Sequence, residues 1–325
     1  MDHDDAHDGA FREGKPLALG KCDVMPDRIV SATSTDGSIS IAAGVTTNLV
    51  AEVRQRHDLS PTASAALGRL MTGAALLGTG LKGRERLSLQ IAADGPLGNL
   101  IADVTTSKGG TIGARGYVAH PTVDVPLNGR GKFDVGRAVG RGRMQVTLSY
   151  EVGQPYVGIV ELASGEIGDD IAAYLMRSQQ IPSVVALGVL ANPRGIKAAG
   201  GAIAQVMPGA DEGAIAQLEE RARSMPPITS QIDRGATPDD LIATLAGPLS
   251  MRRLGENELA FRCRCTPQRV EVALVALGTD ELSRMAEEQP QTEAVCEFCR
   301  RRYVLSRDEM HGLIRRIEKR HESGR

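Results

Sequence analysis

The chain has 325 residues and a formal net charge of −2, which gives room for two or three domains with a substantial core and argues against a globally nucleic-acid-seeking protein. Aromatic residues make up only 3% and Trp is absent, so aromatic platforms for stacking bases are not expected. No apolar run approaches membrane-span length, and the acidic start, Met1 to Asp8, lacks the apolar stretch of a secretory signal.

Residues 1–26 are rich in Asp, His and Gly and show no hydrophobic period, so they read as a disordered extension. His3 and His7 are taken as part of a mobile polar tail, and Cys22 as incidental. Order begins near Arg28. Val30, Ala32 and Ser34 alternate, Asp36-Gly37 forms a tight turn, and Ile39 and Ile41 resume the alternation, which predicts a hairpin. Leu49, Val50 and Val53 mark a short helix. Ser60-Pro61 starts another, with Ser as cap and Pro in the first turn. Leu67, Leu70, Met71, Ala74 and Leu77 give it an apolar stripe, read as core packing.

Gly78-Thr79-Gly80-Leu81-Lys82-Gly83 matches the dinucleotide fingerprint, but the order is reversed. A helix precedes it and the alternating Leu87, Leu89, Ile91 strand follows, so no phosphate would meet a helix N-terminus. No phosphate-loop, zinc-protease or nucleophile-elbow motif occurs, and the chain is not expected to be an enzyme. From Asp94 to Leu162 short strands alternate with Gly-rich turns. The Gly/Arg run from Gly129 to Arg143 reads as a solvated loop, since only Phe133 interleaves with its charges. Asp169 and Asp170 sit in the first turn of a helix and read as caps, because adjacent helical positions do not face each other. Strand candidates follow at Val184–Leu190 and Ala202–Met207.

Beyond Pro208-Gly209 the pattern becomes short amphipathic helices broken by Pro226-Pro227 and Gly247-Pro248. Their apolar positions include Ile215, Leu218, Leu241 and Leu245. Such interrupted helices lose backbone entropy for little burial, so the segment should be marginally stable alone.

Four of the five cysteines then cluster as Cys263-Arg264-Cys265 and Cys296-Glu297-Phe298-Cys299. Two close pairs joined by a loop are the pattern of a tetrahedral four-thiolate site, for which zinc is the default ion. Arg262, Arg264, Arg300 and Arg301 flank the sulfurs and are candidates for favouring the thiolate form, which is also the form oxidants attack. Paired, metal-ready thiols point to a reducing cytoplasm. The basic stretch Arg300–Arg325 carries Met310, Leu313, Ile314 and Ile317 on one helical face and is expected to pack against the zinc lobe.

This arrangement resembles the 33 kDa chaperonin family, the redox-activated bacterial heat-shock holdases. Besides Phe261-Arg262-Cys263-Arg264-Cys265 and Val295-Cys296-Glu297-Phe298-Cys299, the resemblance rests on Gly95-Pro96-Leu97, Gln154-Pro155-Tyr156-Val157-Gly158, Ser164-Gly165-Glu166-Ile167, Ile181-Pro182-Ser183-Val184, Gly200-Gly201 and Met207-Pro208-Gly209-Ala210. It spans residues 28 to about 310. Gln154 and Gln179 stand where the family often has Glu, the Gly/Arg run is enlarged, and the tail through Pro26 looks like an addition.

After the disordered extension over 1–26, the resemblance implies an α+β fold: an α/β chaperone core with mainly antiparallel strands over 27–207, a metastable helical linker over 208–257, and a small four-cysteine zinc domain over 258–325. It implies one Zn2+ per chain in a reduced, inactive form. Oxidation to disulfides with zinc release then unfolds the linker and exposes apolar surface, with Ile215, Leu218, Leu241 and Leu245 as client-binding candidates. The partners implied are unfolding proteins and a second copy of the oxidised chain, without ATP, membrane or nucleic acid. Four cysteines allow three pairings. Cys263–Cys265 and Cys296–Cys299 are the pairs expected, while a long-loop pairing such as Cys265–Cys296 stays open. From the residues alone, the alternative is a constitutive zinc ribbon that binds nucleic acid through Arg300, Arg301, Arg302 and the Gly/Arg loop.

Overall fold

The computed structural model describes residues 12–13, 26–83, 85–107, 109–210 and 212–323. The disorder expected over residues 1–26, with His3, His7 and Cys22, therefore lies outside the described residues except at Arg12, Glu13 and Pro26. Two compact units emerge: residues 21–262, and residues 1–20 together with 263–325. Strand β1 (Arg12–Glu13) belongs to the second.

In the larger unit, β2 (Arg28–Ser34) and β3 (Ile39–Val45) form the predicted hairpin, turning at Gly37 with φ 76. Helices α1 (Thr47–His57) and α2 (Pro61–Leu77) follow. The Ser60 side chain accepts the Ala63 N–H, so Ser60-Pro61 starts α2 as the sequence predicts. That helix is more than an amphipathic stripe, since 14 of its 17 residues are buried. A helix apolar all round belongs inside, and its small residues let neighbours come close. A Cβ added at Gly73 would lie 2.3 Å from Ile171, and one at Gly68 2.8 Å from Val189 and Val50. Gly78–Gly80 is a 3-10 turn between α2 and the next strand, so the glycine fingerprint is a helix-to-strand connection.

Strands β4 (Arg86–Ala93), β5 (Leu100–Thr106) and β6 (Ile112–Val118) come next, then α3 (Val135–Val139), β7 (Gly142–Ser149), β8 (Tyr156–Glu161) and α4 (Gly168–Gln179). The Gly/Arg run is only partly a loop, because α3 lies within it and buries Val135, Ala138 and Val139 in the main core. Asp170 is fully buried, and its carboxylate accepts N–H bonds from Ala163, Ser164, Gly165 and Ile167. Asp169 accepts the Ser164 hydroxyl at 2.8 Å. Both acids thus organise the entry to α4, where Ile167 is held at φ 67. Strands β9 (Ser183–Asn192) and β10 (Gly195–Val206) form one long hairpin.

Three short helices then run along the chain: α5 (Glu212–Ser224), α6 (Ile228–Asp233) and α7 (Pro238–Ala246). Residues 251–257, expected within the helical linker, are strand instead. They open β11 (Met251–Phe261). Four of its eleven residues are charged, which hid it, yet it lies inside a ten-stranded sheet ordered β8-β7-β4-β5-β6-β11-β2-β3-β10-β9. Met251–Glu258 pair antiparallel with β2, with a bulge at Arg253–Gly255. Leu259–Phe261 pair parallel with β6 over Ile112–Ala114. This strand therefore joins two antiparallel half-sheets. The Arg56 guanidinium caps its end, 4.4 Å above the Phe261 ring.

The smaller unit contains α8 (Pro267–Val275), α9 (Thr279–Glu288), β12 (Gln291–Val295), β13 (Arg302–Ser306) and α10 (Arg307–Ser323). Its core is Leu274, Leu282, Ala286, Leu305, Met310, Leu313, Ile314 and Ile317. The apolar face predicted for the C-terminal helix thus packs within this lobe.

Candidate metal centre

Each cysteine pair is placed by an adjoining element. Thr266 follows Cys265 directly and caps α8, its side chain accepting the Arg269 N–H. Cys296 leaves the end of β12, and Cys299 lies in the turn that returns to β13. That turn is closed by Cys296 N–H to Arg301 O at 2.9 Å and Arg300 N–H to Cys296 O at 2.8 Å, with Arg300 in the left-handed region at φ 57.

The four sulfurs all lie within 4.8 Å of one another. Cys263 Sγ is 3.7 Å from Cys296 Sγ, and Cys265 Sγ is 3.3 Å from Cys299 Sγ. The Zn–S bond is about 2.3 Å, which gives a tetrahedral edge of roughly 3.8 Å, so the cluster has the size and donor chemistry that zinc requires. All four are free thiols; Cys299 is buried and the others half-buried. One face of the cluster is therefore within reach of a small oxidant.

The sulfurs act chiefly on one another. Hydrogen bonds from Cys296 and Cys299 pull the Cys263 thiol far below its usual range. The Cys296 thiol is pushed up to about 11, first by its bond to Cys263. Cys299 is raised for the same reason, against a lowering bond from the Arg301 backbone N–H. The four thiols are thus electrostatically coupled, and a metal ion bound among them would require each as a thiolate.

The arginines are placed differently from one another. The Arg301 backbone N–H acts on Cys299, and its side chain lies near Tyr303. The Arg300 guanidinium pairs with Glu297 at 3.3 Å, and Arg302 with Glu293 at 3.4 Å. Arg262 belongs to the larger unit, where its N–H donates to Ala114 O and its stem lies against Gly113. Arg264 stands between the first two cysteines. Sequence reading missed Tyr303. This phenol is fully buried, lies beside Cys265, and is pushed up first by burial. The alternation of Tyr303 and Leu305 in β13 was the available signal.

The other candidate residues meet in the larger unit. Leu218, Leu241 and Leu245 are buried with Ile228 and Ile242 against Val30, Ala32, Ile39, Ile41, Ala43, Ala202 and Ala204 of β2, β3 and β10. Ile215 is half-buried. α6 sits especially close. A Cβ at Gly200 would lie 2.4 Å from Ile232, and one at Gly188 2.6 Å from Thr229. α7 starts with a reciprocal Thr237–Asp240 capping box and ends at Gly247, φ 61, against the Arg221 guanidinium. Three interrupted helices thus cover an apolar sheet face.

A strand-rich body whose apolar face is covered by short helices, followed in the chain by a lobe that gathers four thiols, is the architecture of a family of chaperones. The comparisons agree. The family model described as Hsp33 protein matches residues 27–306. The 33 kDa chaperonin of Desulforamulus reducens is 42% identical over 295 residues, covering 90% of this chain and 99% of the relative. That of Bacillus subtilis is 42% identical over 289 residues, covering 88% and 98%. The crystal structure of the 33 kDa chaperonin from Thermotoga maritima superposes with a TM-score of 0.82 at 34% identity, covering 90% and 98%. The chain belongs to the Hsp33 family.

Proposed function

We propose that the chain is an ATP-independent holdase under redox control, silent when reduced and zinc-bound. The observation that carries this reading is the four-sulfur cluster in a lobe with only a small core of its own. Cys263, Cys265, Cys296 and Cys299 would hold one ion. When bound, zinc supplies on the order of 10–16 kcal/mol of folding free energy to a small domain, against a total stability of about 5–15 kcal/mol for most domains.

Oxidation removes the ligands. Each disulfide forms as two thiols give up two protons and two electrons to a peroxide, which is reduced to two waters. Cys263–Cys265 and Cys296–Cys299 are the proposed pairs. Each closes a short ring, and the entropic constraint of a disulfide grows with loop length, so neither staples the lobe. In the thiol form, contacts of 3.7 Å between Cys263 and Cys296 and 3.3 Å between Cys265 and Cys299 run between the pairs, as in a shared tetrahedron, so those are the pairings to test against.

The functional divisions proposed are a core over 27–207 completed by β11, a movable helical segment over 208–250, and the zinc lobe beyond Arg262. Release of α5–α7 would uncover both Leu218, Leu241 and Leu245 and the sheet face of Ile39, Ile41 and Ala202. Unfolding proteins in the cytoplasm are the proposed clients, and the oxidised chain is proposed to dimerise.

The test follows zinc release during peroxide treatment at mild heat, with suppression of a client's aggregation in the same sample. The two should rise together and reverse with reductant. Zinc loss without holdase activity would overturn the reading.

A further inference from the structure

Residues 1–26 precede the stretch matched by the family model, which starts at residue 27. Part of that extension has a defined partner. β1 adds to the free edge of β13, with Arg12 opposite Val304 and Glu13 opposite Tyr303, giving a three-stranded sheet ordered β1-β13-β12. We propose that the N-terminal extension is a latch on the thiol lobe, its strand at Arg12–Glu13 holding β13 and so slowing the lobe's opening.

The physical case rests on what β13 supports. A two-stranded hairpin is marginal in water, and its open edge leaves backbone groups unpaired. β12 and β13 would be such a hairpin without β1. Their connecting turn carries Cys296 and Cys299. Tyr303, opposite Glu13 in this pairing, is buried beside Cys265. One strand therefore bears on both cysteine pairs, through the chain on one side and a phenol on the other. Pairing along its outer edge restrains the sulfurs without touching them.

The latch's effect on opening rests on the proposed zinc-held form, but its docking does not. The test compares the full reduced, zinc-loaded chain with two variants, one lacking residues 1–26 and one carrying Arg12→Pro with Glu13→Pro. Proline has no N–H and fits poorly in a ladder, so the second variant keeps the extension but removes its strand. Hydrogen exchange reads docking. The β13 amides turned away from β12 should exchange about fivefold faster in both variants, the scale of a hydrogen bond or two, while α2 stays unchanged. Zinc loss to a chromogenic chelator reads the latch and should accelerate by about the same factor. Unchanged β13 exchange would overturn the docking. Faster exchange with unchanged zinc loss would overturn the latch. If both shift but the oxidised full chain protects no client, the holdase reading fails and the latch stands.

Discussion

Among the described residues, the lobe beyond Arg262 closes around eight buried apolar side chains, whereas the body encloses thirty-nine in its main cluster and thirteen more beneath α5–α7. The body has α2 buried along its length and ten strands in one sheet. The lobe has a short sheet, three helices and four sulfurs. A core of eight side chains rarely stabilises a small domain by itself, and a metal is one of the usual staples. The difference places the chain's sensitivity. The body is expected to withstand a local chemical event that would unfold the lobe.

The largest effect should come from removing a ligand. Cys263→Ser is expected to cost the lobe on the order of 10 kcal/mol. Hydrogen exchange should then show α8, α9 and α10 unprotected while α2 and β4 keep their protection. Protection that persisted in α8–α10 would show that the lobe is self-sufficient and would break the comparison.

Next is Leu241→Ala, which empties a nearly fully buried site between α7 and the sheet. A loss of about 2–5 kcal/mol is expected. Limited proteolysis should cut residues 212–246 faster in the reduced protein, and some client protection should appear without oxidant. Cleavage at the wild-type rate would mean that α7 contributes little to the cover.

The body has a pH response of its own. Asp27 is buried, with its carboxyl raised from 3.8 to about 7 by burial, against the lowering N–H bonds from Leu49 and Asn48 at the start of α1. A raised carboxyl gives stability that is complete below the unfolded value and is lost as pH rises through the folded one. Denaturant titrations should therefore show the body losing stability between about pH 4 and pH 7. Asp27→Asn should flatten that slope; an unchanged slope would assign it to another group.

The smallest change is Gly188→Ala. Its new Cβ would meet Thr229 and Ile228 of α6 at 2.6 and 2.9 Å. A cost of about 1–3 kcal/mol should fall on α6 docking alone. Faster exchange confined to α6 is the expected signature, and a uniform loss across the sheet would instead show that the strand itself had been strained.

What could be read from the sequence follows a physical line. Short-range signals were legible: the Ser60-Pro61 helix start, the Asp36-Gly37 hairpin, the cap at Asp170 and the cysteine spacing. Each depends on a few neighbouring residues whose chemistry is local. β11 was not legible. Arg252, Arg253, Glu256 and Glu258 break any apolar alternation, and the strand is specified by its neighbours β2 and β6 and by ion pairs such as Arg28–Glu256 and Arg253–Glu256. β1 was missed for a related reason: a two-residue strand exists only through the edge it joins. At the sulfur site the ligands could be read, but the part played by Tyr303 could not, because it depends on the fold bringing a phenol to Cys265.

The position of β11 also changes what α5–α7 are. They span residues 207–250 between β10 and β11, and both of those strands lie in the same sheet. If the helices detach, they remain a closed loop pinned at both ends. Tethering at both ends keeps a segment at a high effective concentration near its own docking face. Under the proposed function, a client held on that face would compete continuously with the helices it displaced. If the helices then docked again, this internal competitor would drive the client off without an external source of energy.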